Sequence, residues 1–136
     1  MKSIIAIILS ITLTFASPVL AGDASAFGSM RGTAMFYGSG GASSSGSFDV
    51  LTGTDTTLVI VGGNFNLNTS NIGGPADFGF GFVSGNVISG GFASQTPSGS
   101  FASSGTRVET TTFSIGPVQS STTAGGYAGA CAGEGC

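Results

Sequence analysis

Ionisable side chains are scarce in this 136-residue sequence, and their scarcity excludes most catalytic functions. Histidine and tryptophan are absent, lysine occurs only at position 2, and the other cations are Arg31 and Arg107. A serine or cysteine nucleophile activated by histidine is therefore impossible. Hydrolysis by paired carboxylates needs two acids in one pocket, and the nearest pair, Asp49 and Asp55, flanks turn-like residues and is expected to be solvated. We predict a protein that is not an enzyme and has no cofactor.

Clustered cations are also missing, which excludes the partners that positive charge attracts. Three Lys and Arg stand against six Asp and Glu, giving a net charge of −3. Nucleic acids and anionic lipid surfaces are bound by clustered lysine and arginine, so we predict neither as a partner. The loop from Asp49 to Asp55 offers oxygen atoms to calcium, but its spacing matches no EF-hand. We predict no metal site.

Long hydrophobic runs are absent except for one near the amino terminus. Residues 4–15 are mostly apolar, follow Lys2 and lead to small residues before Gly22. This is the layout of a cleaved signal peptide, and the run is shorter than the ~20 residues that a membrane-spanning helix needs. We predict a signal peptide at residues 1–21 and an exported chain with no stable membrane anchor. Its location would be extracellular, at the cell surface or periplasmic.

Cysteine occurs only twice, at Cys131 and Cys136. In an exported chain, so close a pair is typical of a small disulfide loop. A zinc site is disfavoured because two thiolates and Glu134, without histidine, are too few ligands. The alternative is a disulfide between chains, which would cross-link the subunits of an assembly.

Glycine, by contrast, is abundant, and its spacing disfavours helices. The sequence has 25 glycines, and after residue 21 the longest run without one covers residues 106–115. A typical helix of about 11–12 residues would contain an interior glycine, at about 1 kcal/mol each. Thr, Val, Phe and Ile fill the intervals and favour strands. We predict an all-β fold, a single small antiparallel sandwich or barrel-like domain of about seven or eight short strands.

Individual segments refine this prediction. Residues 56–61 are almost continuously apolar and are expected to form a central strand buried on both faces. Gly62 and Gly63 should end that strand in a hairpin. In residues 78–82 phenylalanine alternates with glycine, so one face would carry rings and the other would allow close approach. The β-rich domain would span residues 22–118, followed by a flexible Ser/Thr/Gly/Ala tail at residues 119–136.

The uncharged strand also favours self-assembly. Short segments of high β-propensity without proline or charge stack readily, and this chain has few charges to protect its sheet edges. We expect an exported structural or surface protein, a self-assembling β-rich subunit of a coat, fibre or extracellular matrix whose partner is itself. The expected assembly residues are Leu58, Val59, Ile60, Val61, Phe78, Phe80 and Phe82.

Other interpretations of the same patterns remain open. A small secreted β-sandwich could bind a carbohydrate or protein ligand through loops at residues 38–45 and 52–54. The apolar strand would then be the core of a monomer. The alternation of apolar and small or polar residues is also typical of an outer-membrane barrel. Such a barrel needs girdles of aromatic residues at both membrane interfaces, and this chain has no Trp and only two Tyr to form them. Size in solution separates an assembling protein from a binding module.

Overall fold

The computed structural model describes residues 12–15, 22–74 and 76–136, which form two antiparallel sheets and no helix. In chain order the strands are β1 Thr12–Phe15, β2 Asp23–Gly38, β3 Gly41–Thr54, β4 Thr57–Asn71, β5 Gly79–Thr96, β6 Gly99–Ile115 and β7 Val118–Ala132. Sheet 1 has the order β1-β2-β5-β6 and sheet 2 the order β3-β4-β7. The predicted all-β, sandwich-like fold is confirmed.

Three connections cross between the sheets, and each pair of strands joined in this way is called a layer here: β2 with β3, β5 with β4, and β6 with β7. β5 packs on β7 as well as on β4, and β2 packs on β4 as well as on β3. Two-residue turns join β3 to β4 and β5 to β6 as hairpins within a sheet. The connections within each layer cross between the sheets, and all three lie at the same end. Gly38 and Gly116 begin two of them with φ of 111° and 84°, a backbone conformation that other residues rarely adopt.

Hydrogen bonds from Asn71, the last residue of β4, and from the residue after it link the three crossing connections. The backbone N–H of Asn71 donates to the Gly40 carbonyl at 2.8 Å, and its side-chain amide donates to the Gly38 carbonyl at 2.9 Å. The next backbone N–H, from Ile72, donates to the Pro117 carbonyl at 2.8 Å. Because these bonds join all three layers at one end, the layers are held in a fixed order there.

The buried core belongs to the first two layers. Its largest side chains are those of Met30, Phe36, Phe48, Phe65 and Leu67, which come from both sheets. A second, smaller cluster surrounds Val59 and Val61. Among the described residues, neither β6 nor β7 contributes a buried side chain. The third layer therefore packs only small or partly exposed groups.

Glycines inside the strands make room for aromatic rings, and this explains why the predicted strand count was not confirmed. Six strands of 14 to 18 residues and the short β1 replace the seven or eight short strands expected. β4 runs straight through Gly62 and Gly63, so the predicted hairpin at that pair was wrong. A Cβ at Gly63 would lie 2.7 Å from Phe48 Cε1. These glycines mark ring positions and not turns.

The segment predicted as a flexible tail forms β7 for most of its length, so the tail is not confirmed. β7 pairs with β4 from Val118, opposite Asn71, to Ala132, opposite Thr57. Small side chains suit this position, because a Cβ at Gly126 would already lie 2.5 Å from Thr106 Cγ2 in the facing strand. Because β6 and β7 approach each other closely, only small side chains fit between them. The Ala/Gly-rich sequence of β7, which resembles a linker, meets this requirement.

The predicted signal peptide falls almost entirely outside the described residues. Residues 1–11 and 16–21 are not among the described residues, while Thr12–Phe15 form β1. β1 pairs with residues 28–31 of β2. Within the described residues, no helix is long and apolar enough to cross a membrane.

Candidate functional site

The structure divides the predicted assembly residues of β4 between the core and an outer face. Val59 and Val61 have no exposed surface, whereas Leu58 and Ile60 are 37% and 41% exposed on the outside of sheet 2. The strand is central, as predicted, but only one of its faces is buried. Both of its edges are paired, with β3 and β7. Its backbone is therefore occupied and cannot receive another strand.

Phe78 directly precedes β5, and Phe80 and Phe82 lie at the start of β5 on the outer face of sheet 1. Phe78 is exposed and makes an edge-on contact with Tyr37, with ring centroids 4.5 Å apart. Phe80 packs in the same way against Phe113 at 5.9 Å. The opposite, glycine-lined face is buried inside the sandwich, where Gly81 lies against Phe36. The close approach expected of the glycines thus takes place within the subunit.

Among the described strands, β1, β3, β6 and β7 each have one unpaired edge, and β6, at the edge of sheet 1, is the longest of them. All of its residues from Gly99 to Ile115 are exposed, and among the described residues only β5 pairs with it. The β5–β6 register has no bulge, and β6 contains neither lysine nor proline. Natural edge strands are normally protected by such features. β6 therefore presents a long, regular row of unpaired backbone groups.

The side chains of β6 alternate between the two sides of the sheet. One side faces β7, where Ser104 Oγ donates to the Ala128 carbonyl at 3.2 Å and Thr106 approaches Ser89 Oγ at 3.2 Å. This inner row comprises Ser100, Ala102, Ser104, Thr106, Val108, Thr110, Thr112 and Ser114. The outer row comprises Phe101, Ser103, Gly105, Arg107, Glu109, Thr111, Phe113 and Ile115. The inner row is uncharged, and each end of the outer row is apolar.

Charge on β6 is confined to one neighbouring pair at the middle of the strand. Arg107 and Glu109 form an ion pair with side chains 74% and 49% exposed. Asn86 on β5 contributes a long contact to Glu109 at 3.5 Å. An ion pair so exposed contributes little to stability. Both groups are accessible to a partner that approaches the edge.

The outer face of sheet 2 has a different character, because it carries regular rows of small polar side chains. Three exposed asparagines of β4 lie between exposed serines of β3 and small residues of β7, which are Ser121, Thr123 and Gly125. The rows are Ser43-Asn68-Ser121, Ser45-Asn66-Thr123 and Ser47-Asn64-Gly125. Shallow depressions of about 370 to 440 Å³ lie along them. Residues 41–45, predicted as part of a ligand-binding loop, belong to β3 and supply part of this face.

One tyrosine that sequence reasoning placed in the flexible tail closes this polar face. Tyr127 of β7 lies across Gly62 of β4, and its hydroxyl donates to Asp49 of β3. Tyr127 and Asp49 are 78 residues apart in the sequence, so their contact depends on the pairing of the strands that carry them. A clue in the sequence was the glycine at position 62, which leaves space for a ring on the outer face.

The cysteines form a disulfide at the end of β7. Cys131 and Cys136 are bonded, with their Cα atoms 5.8 Å apart, as expected for the pairing within one chain. Among the residues described, no three His, Cys, Asp or Glu side chains lie together as a metal site would require. Asp55 lies in the β3–β4 turn, away from the strand that carries Asp49.

Comparisons with known proteins do not assign this chain to a family. No family model, no curated protein and no solved structure matches it.

Proposed function

We propose that this chain is an exported, non-enzymatic structural or surface protein whose copies assemble by strand pairing into a coat, fibre or extracellular matrix. The observation that carries the proposal is the 17-residue edge strand β6, which is exposed throughout and has no lysine, no proline and no bulge in its pairing with β5. Such an edge is a template for pairing with another chain. The proposal moves the assembly surface from residues 58–61 and from Phe78, Phe80 and Phe82, where the sequence suggested it, to β6 at the edge of sheet 1.

Export is supported by two independent features. One is the apolar leader-like run at residues 4–15 after Lys2. The other is the Cys131–Cys136 disulfide, because disulfides persist mainly in oxidising compartments outside the cytosol. We place the working protein in the extracellular space, on the cell surface or in the periplasm.

The size distribution of residues 22–136 tests the assembly proposal. Light scattering and negative-stain electron microscopy on one sample should show species larger than the subunit, growing with protein concentration. A compact monomer at every accessible concentration would contradict the proposal. Mass spectrometry of protein recovered outside the producing cells would test export, and an uncleaved cytosolic chain would contradict that part.

A second candidate function is favoured by the polar rows on sheet 2. Asparagine amides and serine and threonine hydroxyls donate and accept hydrogen bonds at regular intervals there. A repeating polar surface of this kind suits a polysaccharide with regularly spaced hydroxyls. Under this proposal the chain is a secreted β-sandwich binding module, and the face of sheet 2 replaces the loops as its contact surface.

Binding to insoluble polysaccharides tests this second function. Replacing Asn64, Asn66 and Asn68 together by Ala should weaken binding at least tenfold, because the central row of amides is lost. Thr111→Ala, on the outer face of sheet 1, is the matched control and should bind like the parent chain. The absence of binding to any polysaccharide tested, or equal losses in both variants, would contradict the binding role.

A further inference from the structure

We propose that β6 is a self-complementary interface at which two copies of this chain form a symmetric dimer. β6 of one copy would pair antiparallel with β6 of the second copy, with Val108 opposite Val108. This inference rests on the proposed assembly function and names the contact through which the first step occurs. The shared two-fold axis would pass through the middle of the strand.

The central charges specify the register. In antiparallel pairing centred on Val108, Arg107 lies opposite Glu109 of the second copy, and Glu109 lies opposite its Arg107. Two opposite-charge pairs then form across the interface, on the same outer face. Centring the pairing on Arg107 or on Glu109 would place a like charge directly opposite, which is unfavourable. Pairing centred between two residues would set inner side chains against outer ones and is excluded by the alternation of the sheet.

The apolar ends of β6 fit the same register. Pairing centred on Val108 places Phe101 opposite Ile115 of the second copy, and the reverse contact occurs at the other end. Phe101 and Ile115 are each 60% exposed in the subunit, and Val108 is 40% exposed. The pairing covers residues 101–115 of both strands. Exposed apolar groups at both ends and at the centre would thus become contacts between copies.

The thin third layer gives a second reason for a partner at this end. β6 lies over β7, and neither strand contributes a buried side chain. A second copy joined at β6 extends sheet 1, and brings its own β7 alongside the edge of sheet 2. The inner rows of Ser, Thr, Val and Ala would then be covered from the side. An interface with two-fold symmetry uses one patch twice and closes on itself, which suits the single free charge pair of β6.

Charge reversal at β6, carried out on residues 22–136, tests the register directly. Arg107→Glu makes the centre of β6 acidic, and Glu109→Arg makes it basic. Each variant alone would oppose like charges across the axis, so its dimer should dissociate at least tenfold more readily than the parent. An equimolar mixture should restore the dimer, because the acidic strand then pairs with the basic one. The ion pair within each chain stays broken in that mixture, so the rescue reports only the contact between chains.

Two controls accompany the mixture. Arg31→Glu changes the same charge on β2, which is separated from β6 by β5, and should leave dimer dissociation unchanged. The double variant R107E/E109R restores opposite charges in both copies and should dimerise like the parent. Light scattering and sedimentation report the dimer, and circular dichroism verifies that every variant keeps its β-structure.

The outcomes separate this inference from the proposed function. Loss in both single variants and recovery on mixing would support pairing through β6 centred on Val108. A parent chain that assembles while both single variants assemble equally well would overturn the β6 interface and leave the assembly function standing. Single variants that fail to recover on mixing would overturn the register. A parent chain that stays monomeric would overturn both proposals.

Discussion

β4 and β6 are long strands of the same subunit with opposite composition and opposite placement. β4 contains the most apolar run after residue 21 and lies at the centre of sheet 2, with both edges paired. β6 is rich in Ser and Thr and lies at the edge of sheet 1, with one side unpaired. The comparison shows that apolar composition predicts burial, whereas the capacity to add a strand depends on position in the sheet.

The physical origin of the difference is that the two properties arise from different groups. Side chains drive burial, because removing apolar surface from water is favourable at about 25 cal/mol per Å². Strand addition uses backbone N–H and C=O groups, which are available only where a neighbour is missing. A strand rich in apolar side chains lies at the centre of its sheet, where both of its edges are paired. A strand with fewer apolar side chains lies at the side of the sheet and keeps one edge unpaired.

The largest effect on folding should come from a charge in the core side of β4. Val59→Lys would bury an ammonium group at a position with no exposed surface, and we expect a loss of at least about 4 kcal/mol in the free energy of unfolding. Thermal and urea unfolding followed by circular dichroism would measure it. Ile60→Lys is the matched control, because Ile60 lies on the outer face of the same strand, and it should cost about 1 kcal/mol or less. Equal losses in the two variants would contradict the one-sided burial of β4.

A smaller effect should follow from filling the glycine-lined inner face of β5. Gly81→Ala would force a methyl group against Phe36 and Thr69, which packs there from β4, and should cost about 1–3 kcal/mol. Gly105→Ala on β6 meets nothing within 4 Å and should be neutral or slightly stabilising. Urea midpoints of the two variants provide the comparison. A stable Gly81→Ala variant would show that the sheets do not approach as closely as described.

Removing the disulfide should have a limited effect. Replacing Cys131 and Cys136 together by Ser opens a loop between residues only five apart in sequence, so at most about 2 kcal/mol is expected. The end of β7 opposite Leu58 should lose hydrogen-exchange protection, while the centre of β4 keeps it. Global loss of β-structure in the double variant would mean that β7 depends on the disulfide for its pairing with β4.

The smallest effect on the subunit, and a large one on assembly, should come from the centre of β6. Val108 is partly exposed at the edge, so Val108→Lys should change the free energy of unfolding by about 0.5 kcal/mol or less. The same substitution would oppose two lysines on the proposed axis and weaken the dimer at least tenfold. Unfolding and light scattering of one preparation measure both quantities. An unfolded Val108→Lys chain, or an undiminished dimer, would contradict the contrast with Val59.

Composition and local pattern were sufficient to predict the sheet-only fold, the central position of residues 57–61 and the cysteine pair. Glycines misled the prediction of strand ends, because Gly63 and Gly81 accept the rings of Phe48 and Phe36 from the paired strand of the same sheet, and this contact is not visible along the chain. β7 was also missed. Its Ala and Gly residues resemble a linker, and only pairing with β4 and packing on β6 give them a regular structure.

The free edge was not predictable either, since it depends on which strand has no neighbour. The exposed pair Arg107 and Glu109 was visible in the sequence, but its significance appears only when β6 lies at an edge. Among the predicted assembly residues, Val59 and Val61 are in the core, and Phe80 and Phe82 lie on an outer face. The structure therefore changes where assembly is to be tested, while assembly itself stays a proposal.

The most direct test of the account is the mass of residues 22–136 in solution, measured by light scattering across a range of concentrations beside the Val108→Lys variant. We expect the parent chain to form dimers or larger even-numbered species and the folded variant to remain a monomer. A parent chain that is monomeric throughout, or a variant that assembles as the parent does, would contradict this expectation.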